Sequence, residues 1–172
     1  MPTTYSPIAS VTVGSGGATS VSFTSIPQIY TDLLVFISGR SDRPSQPNDQ
    51  IFMSINNVTT AYTWRWLYSS AGGTGSQSAG VRYAGQTTST TATASTFGNN
   101  SIYIPNYTGS NYKSYSVDAV NESNVTSLLY NMSLEGGLWS DTAAITSLVF
   151  APEVGPNFVQ YSSFHLYGIL KS

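Results

Sequence analysis

The chain has 172 residues, of which 40% are hydrophobic, 13% aromatic and only 8% charged, and its formal net charge is −2. Disorder needs low hydrophobicity together with high net charge, so this composition predicts a folded chain. The six basic residues are scattered, which argues against a nucleic-acid partner, and the absence of cysteine excludes disulfides, thiolate nucleophiles and almost every structural zinc pattern.

The N-terminus has no basic region and no apolar run long enough for a signal peptide, and no later segment approaches a membrane span. We therefore expect synthesis in a cytoplasm and no membrane span. The length suits one core, so we predict a single domain over residues 1–172 with a short N-terminal arm.

Strand signals begin close to the N-terminus. Residues 8–13 and 20–24 are rich in β-branched residues, and the second run alternates apolar and polar residues. The glycine-rich stretch 14–17 between them supplies positions for a turn, so the pair predicts a hairpin with one buried face.

The next segment, residues 32–38, is a continuous apolar run that is too short for a typical helix and predicts a central strand. Residues 39–49 contain two prolines and several charges, which is typical of a solvated loop. Alternation resumes at Ile51, Met53 and Ile55.

The aromatic segment 62–68 places Tyr62, Trp64, Trp66 and Tyr68 on one side of an extended chain. We expect most of this segment to be core. The uncharged stretches 69–80 and 86–95 predict long loops or edge strands, with a short strand at 81–83 between them.

The C-terminal half continues the same pattern. In the run 128–134, Leu128, Tyr130, Met132 and Leu134 share one face of a strand, although a helix over 124–132 capped by Asn124 is the competing interpretation. The glycine pairs 16–17, 72–73 and 136–137 predict turns. Further strands are predicted at residues 101–104, 112–119, 144–150 and 163–170.

Eight to ten short strands with no convincing helix predict an all-β fold, an antiparallel β-sandwich that is jelly-roll-like. Period-two alternation predicts that eight side chains are buried between the two sheets: Val21, Phe23, Leu34, Phe36, Ile102, Ile104, Leu148 and Phe150.

Residues with catalytic or ligand-binding chemistry are sparse. His165 is the only histidine, and a serine triad is disfavoured because the sequence has no Gly-x-Ser-x-Gly elbow. A glycosidase pair could be assembled from the dispersed acids only by the fold, and turn and loop carboxylates that bond local backbone amides are the simpler expectation. Oxygens from Asp42, Asn48 and Asp49 match no calcium-loop spacing.

The three tryptophans and twelve tyrosines could form platforms for sugar rings or a subunit interface, but core packing is the simpler expectation. We therefore predict no catalytic, cofactor-binding or metal-binding residue, and a protein that is not an enzyme.

Four short motifs resemble a family of small virion structural proteins of tailed bacteriophages. They are Ile26-Pro27 before Tyr30-Thr31-Asp32-Leu33, Ile104-Pro105-Asn106-Tyr107, Ala144-Ile145-Thr146-Ser147 and Phe164-His165-Leu166-Tyr167-Gly168-Ile169. The resemblance is densest over residues 3–40 and 137–170.

This resemblance implies a jelly-roll fold that serves as a capsid decoration (cement) protein or as a fibre or tail module. We therefore expect a homotrimer that is made in the cytoplasm of the bacterial host, resides in the virion and bridges subunits of the major capsid protein or other virion proteins. The alternative is a tail, collar or fibre module that binds a host-surface saccharide.

Overall fold

The computed structural model describes residues 4–70, 73–122 and 131–170. These residues form two antiparallel β-sheets that pack face to face, which confirms the predicted β-sandwich. The structure contains twelve strands rather than eight to ten: β1 (Tyr5–Thr12), β2 (Val21–Phe23), β3 (Asp32–Gly39), β4 (Asn48–Ile55), β5 (Tyr62–Ser70), β6 (Gly73–Ala79), β7 (Tyr83–Thr88), β8 (Gly98–Ile104), β9 (Lys113–Asn121), β10 (Asn131–Trp139), β11 (Leu148–Pro152) and β12 (Ser163–Ile169).

The large sheet has eight strands in the order β1-β12-β3-β8-β9-β10-β5-β6, and the small sheet has four in the order β2-β11-β4-β7. Most successive strands lie in opposite sheets, and only β5–β6 and the run β8–β9–β10 stay within one sheet. Without the pairs β5–β6 and β9–β10, eight strands remain as two four-stranded sheets in the orders β1-β12-β3-β8 and β2-β11-β4-β7, which is a jelly-roll-like arrangement. The added strands explain why the count exceeds the prediction.

The core lies between the small sheet and the inner face of the large sheet. Phe150 is fully buried and contacts Phe23 edge to face at a centroid distance of 6.4 Å and Phe164 at 5.9 Å. Six of the eight predicted core side chains are buried: Val21, Phe23, Ile102, Ile104, Leu148 and Phe150.

The prediction was wrong for Leu34 and Phe36, which lie on the outer face of β3, where Phe36 is exposed. Leu33, Val35 and Ile37 occupy the inner face instead. A continuous apolar run has no alternation that shows which parity faces the core, and a shift of one residue exchanges the two faces.

The predicted N-terminal hairpin does not form. β1 pairs with β12 at the edge of the large sheet, whereas β2 pairs with β11 in the small sheet. The glycine-rich stretch 14–17 still turns the chain, with Gly17 at a φ of 71°, but it carries the chain from one sheet to the other.

Of the two uncharged stretches, the first contains the edge strand β6, and the second contributes to the edge strand β7. The Gly136-Gly137 pair is not a turn, because both residues lie within β10. Leu128, Tyr130 and most of the alternative helix lie outside the described residues, as does Gly72. Within the described ranges, the structure has no helix with the length and apolarity needed to span a membrane.

Candidate functional site

The outer face of the large sheet points away from the small sheet. Residues that lie opposite one another on neighbouring strands form rows of side chains across this face. One row runs Ser76, Leu67, Leu134, Asp118, Ser101, Phe36 and His165 across β6, β5, β10, β9, β8, β3 and β12. The parallel row through β5, β10 and β9 contains Ser69, Met132 and Val120.

Four aliphatic side chains on this face form what we call the outer apolar patch: Leu67, Val120, Met132 and Leu134. Their exposed fractions are 59%, 43%, 55% and 55%, respectively. Leu134 lies directly opposite Leu67, and Met132 lies directly opposite Val120. Scattered exposed apolar residues are ordinary, but neighbours on adjacent strands form a continuous surface of the kind that marks an interaction site.

The outer apolar patch follows from the residues that occupy the opposite, inner face of β10. Glu135, Gly137 and Trp139 point inward, where Glu135 and Trp139 are buried. Gly137 has no room for a side chain, since a Cβ there would lie 1.9 Å from the ring of Tyr115. The inner positions of β10 are thereby fixed, and Leu134 must face outward.

The four side chains of the patch line an open depression of about 650 Å³, whose walls also include Asp118, Ser69 and Thr74. On this face Asp118 lies directly opposite Leu134, and Arg65 lies opposite Gly136, two residues further along β10. Within the described residues neither forms a salt bridge, and the Arg65 guanidinium donates only to the carbonyl of Trp64, at 3.3 Å. These two charged side chains form a polar rim beside the exposed aliphatic side chains of the patch.

Glu135 is the buried acid nearest to this surface, and its contacts are structural. Its carboxyl accepts hydrogen bonds from Trp64 Nε1 at 3.0 Å, from the backbone N–H of Gly85 at 3.2 Å and from Ser133 Oγ at 2.9 Å. Burial raises the pKa of Glu135, and these hydrogen bonds oppose the rise. The carboxyl connects β10 of the large sheet to β7 of the small sheet.

Both carboxylates considered for calcium already accept hydrogen bonds, and Asn48 donates its side-chain amide to Gln86 Oε1 at 3.1 Å. Asp49 is fully buried and accepts from Ser41 Oγ at 3.0 Å and from the N–H of Gly155 at 2.8 Å, with Arg43 Nη1 at 3.5 Å. Asp42 accepts twice from Asn157, at 2.7 and 2.8 Å. Among the described residues, no group of three metal-ligating side chains comes together.

Other acids also bond backbone amides, but the prediction that these amides are local was wrong for most of them. Asp32 accepts from the N–H of Asn106 and Asp141 from the N–H of Ala143, at 2.9 and 2.8 Å. Most of these bonds join segments distant in sequence rather than local turns.

His165 lies on the outer face of β12, opposite Ser10 and Phe36.

The aromatic segment packs largely on itself. Trp64 contacts Trp66 at a centroid distance of 5.3 Å, and Trp66 stacks on Tyr68 at 4.2 Å. Tyr62 and Trp64 are buried, as predicted, while Trp66 and Tyr68 are half-buried. Ring faces that are used in these contacts are not available as sugar platforms.

Sequence reasoning did not identify the outer apolar patch. The available signal was the alternation of Met132 and Leu134 with Ser133 and Glu135, but alternation alone does not show which face is exposed.

The fold and this surface define an antiparallel β-sandwich protein with an exposed apolar sheet face. No protein-family model matches the chain, and no curated protein matches it. The resemblance to phage virion proteins therefore stays a prediction.

Proposed function

We propose that the protein is a non-enzymatic virion structural component of a tailed bacteriophage, a decoration protein that bridges capsid subunits. The outer apolar patch is the observation that supports a contact role, and we assign it to the capsid protein. Leu67, Leu134 and their neighbours expose aliphatic surface to water, which association with another protein would bury.

The chemistry of the described residues is consistent with this proposal. Asp32, Asp42, Asp49 and Glu135 hold the fold together through hydrogen bonds. His165 lies opposite Ser10 and Phe36 in the strand register, so neither register partner is an acid that could orient its imidazole. A catalytic group needs a positioned partner within hydrogen-bond reach.

The proposal is tested by the number of copies of this chain in purified phage particles, measured by quantitative mass spectrometry. Hundreds of copies per particle support capsid decoration. A few tens or fewer would support the alternative location in the tail, collar or fibre, and absence from the particles would contradict both.

The role of the outer apolar patch is tested by adding purified protein to particles that lack it. The double variant Leu67→Ser and Leu134→Ser should bind such particles at least about tenfold more weakly than the wild type, because it removes two of the four aliphatic side chains. The control is Ser10→Ala on β1, at the far edge of the same face. Equal binding of the double variant would contradict this assignment.

A further inference from the structure

The two sheets end in four edge strands, and three of these edges are protected. Free backbone groups on an edge pair readily with another chain unless the strand is short, bulged, covered, or interrupted by proline or charge. β2 has only three residues. β1 contains Pro7 and a register shift between Pro7 and Ala9.

The edge of β7 is covered by side chains from the large sheet. The backbone N–H of Gly85 donates to Glu135. The side chain of Asn100 bonds Gln86 on both sides, accepting from its N–H at 2.8 Å and donating to its carbonyl at 2.8 Å. These contacts use backbone groups that a foreign strand would need.

β6 carries none of these protections. Its seven residues contain no charge and no proline, and its register with β5 runs without a bulge from Gly73 to Ala79. Thr74 and residues 76–79 are exposed. Among the described strands, only β5 pairs with it.

We propose that β6 pairs in antiparallel orientation with β6 of a second copy about a two-fold axis, so that two large sheets become one continuous sheet. Two identical antiparallel strands are self-complementary, and an uncharged strand brings no like charges together across the axis. The side chains of Ser76 and Ser78 are small, so backbone hydrogen bonds would form the contact, as in other strand-addition contacts.

This contact is isologous and therefore builds a dimer, whereas the trimer expected from the resemblance would need a heterologous contact. The pairing is independent of the virion role, because it rests on the edge strand and not on the outer apolar patch.

The pairing is tested with single cysteines, because the chain has none of its own. Thr74→Cys, Ser76→Cys and Ser78→Cys place one thiol on the outer face of β6, and Ser10→Cys places a control thiol on β1. Directly opposed Cβ atoms lie about 4.5–5.5 Å apart in an antiparallel pair. The β6 thiol nearest the axis should therefore form a covalent dimer at least about tenfold faster than Ser10→Cys when the oxidant diamide is added.

A second arm measures mass by light scattering over a range of concentrations. The wild type and Ser10→Lys should form dimers at high concentration, whereas Ser76→Lys should remain monomeric because it sets two positive charges across the axis. A wild-type monomer at every concentration, a trimer, a dimer unaffected by Ser76→Lys, or equal cross-linking at Ser10→Cys would each overturn the pairing. Those results would leave the copy number per particle, and hence the proposed function, untouched.

Discussion

The buried carboxyl of Glu135 gives a sharp test of how the two sheets are joined. Replacement of Glu135 by Ala leaves the N–H groups of Trp64 and Gly85 without their acceptor. An orphaned buried donor costs about 1–3 kcal/mol, so the two together should cost about 2–6 kcal/mol. For a chain of this length the melting temperature should fall by roughly 2–4 °C for each kcal/mol.

Glu135→Gln is the matched control. Its amide oxygen can accept the same two hydrogen bonds, and its amide nitrogen can donate to Ser133 Oγ. Because it also removes the cost of burying a negative charge, we expect its stability at pH 7 to equal or exceed that of the wild type.

The pH dependence follows from the raised pKa of Glu135. The folded protein holds this proton more tightly than the unfolded chain, so the wild type loses stability as pH rises from the ordinary glutamate pKa through the raised one. Glu135→Gln has no such loss, and its advantage over the wild type should grow across that window and then level off.

Urea unfolding followed by tryptophan fluorescence, at several pH values from acidic to neutral, measures all three proteins. If Glu135→Gln were as unstable as Glu135→Ala throughout this range, the ionised carboxylate itself would be required, and the reasoning from orphaned donors and buried charge would be refuted.

Three further substitutions test separate parts of the structure. Gly137→Ala should destabilise the protein by about 1–3 kcal/mol because its Cβ would collide with the Tyr115 ring, whereas Gly136→Ala, with open space around it, should be neutral in the same thermal melts. Lys113→Met should lower the melting temperature, since Lys113 Nζ donates to three backbone carbonyls, and unchanged stability would show that water replaces it. His165→Ala should leave folding, assembly and infectivity unchanged, and loss of infectivity by a folded variant would point to a site at this residue.

The sequence by itself determined the fold class. Short runs of β-branched and aromatic residues separated by Gly, Pro and Asn specify strands and turns through local geometry, and Ile51, Met53 and Ile55 show their buried parity by alternation. Local chemistry also accounts for the turn at Asn56-Asn57, because both residues adopt a positive φ, which asparagine tolerates.

Only the tertiary structure decided which sheet each strand joins and which face of an ambiguous strand is buried. β1 and β2 look like a hairpin locally, but their partners β12 and β11 are far away in sequence. Leu134 is apolar yet exposed, and Glu135 is charged yet buried, because Trp64 and Gly85 supply donors that only the packed sheets bring to its carboxyl. The local sequence pattern determines that a segment forms a strand, whose side chains alternate between two faces. Pairing with strands distant in sequence determines which of those two faces is buried.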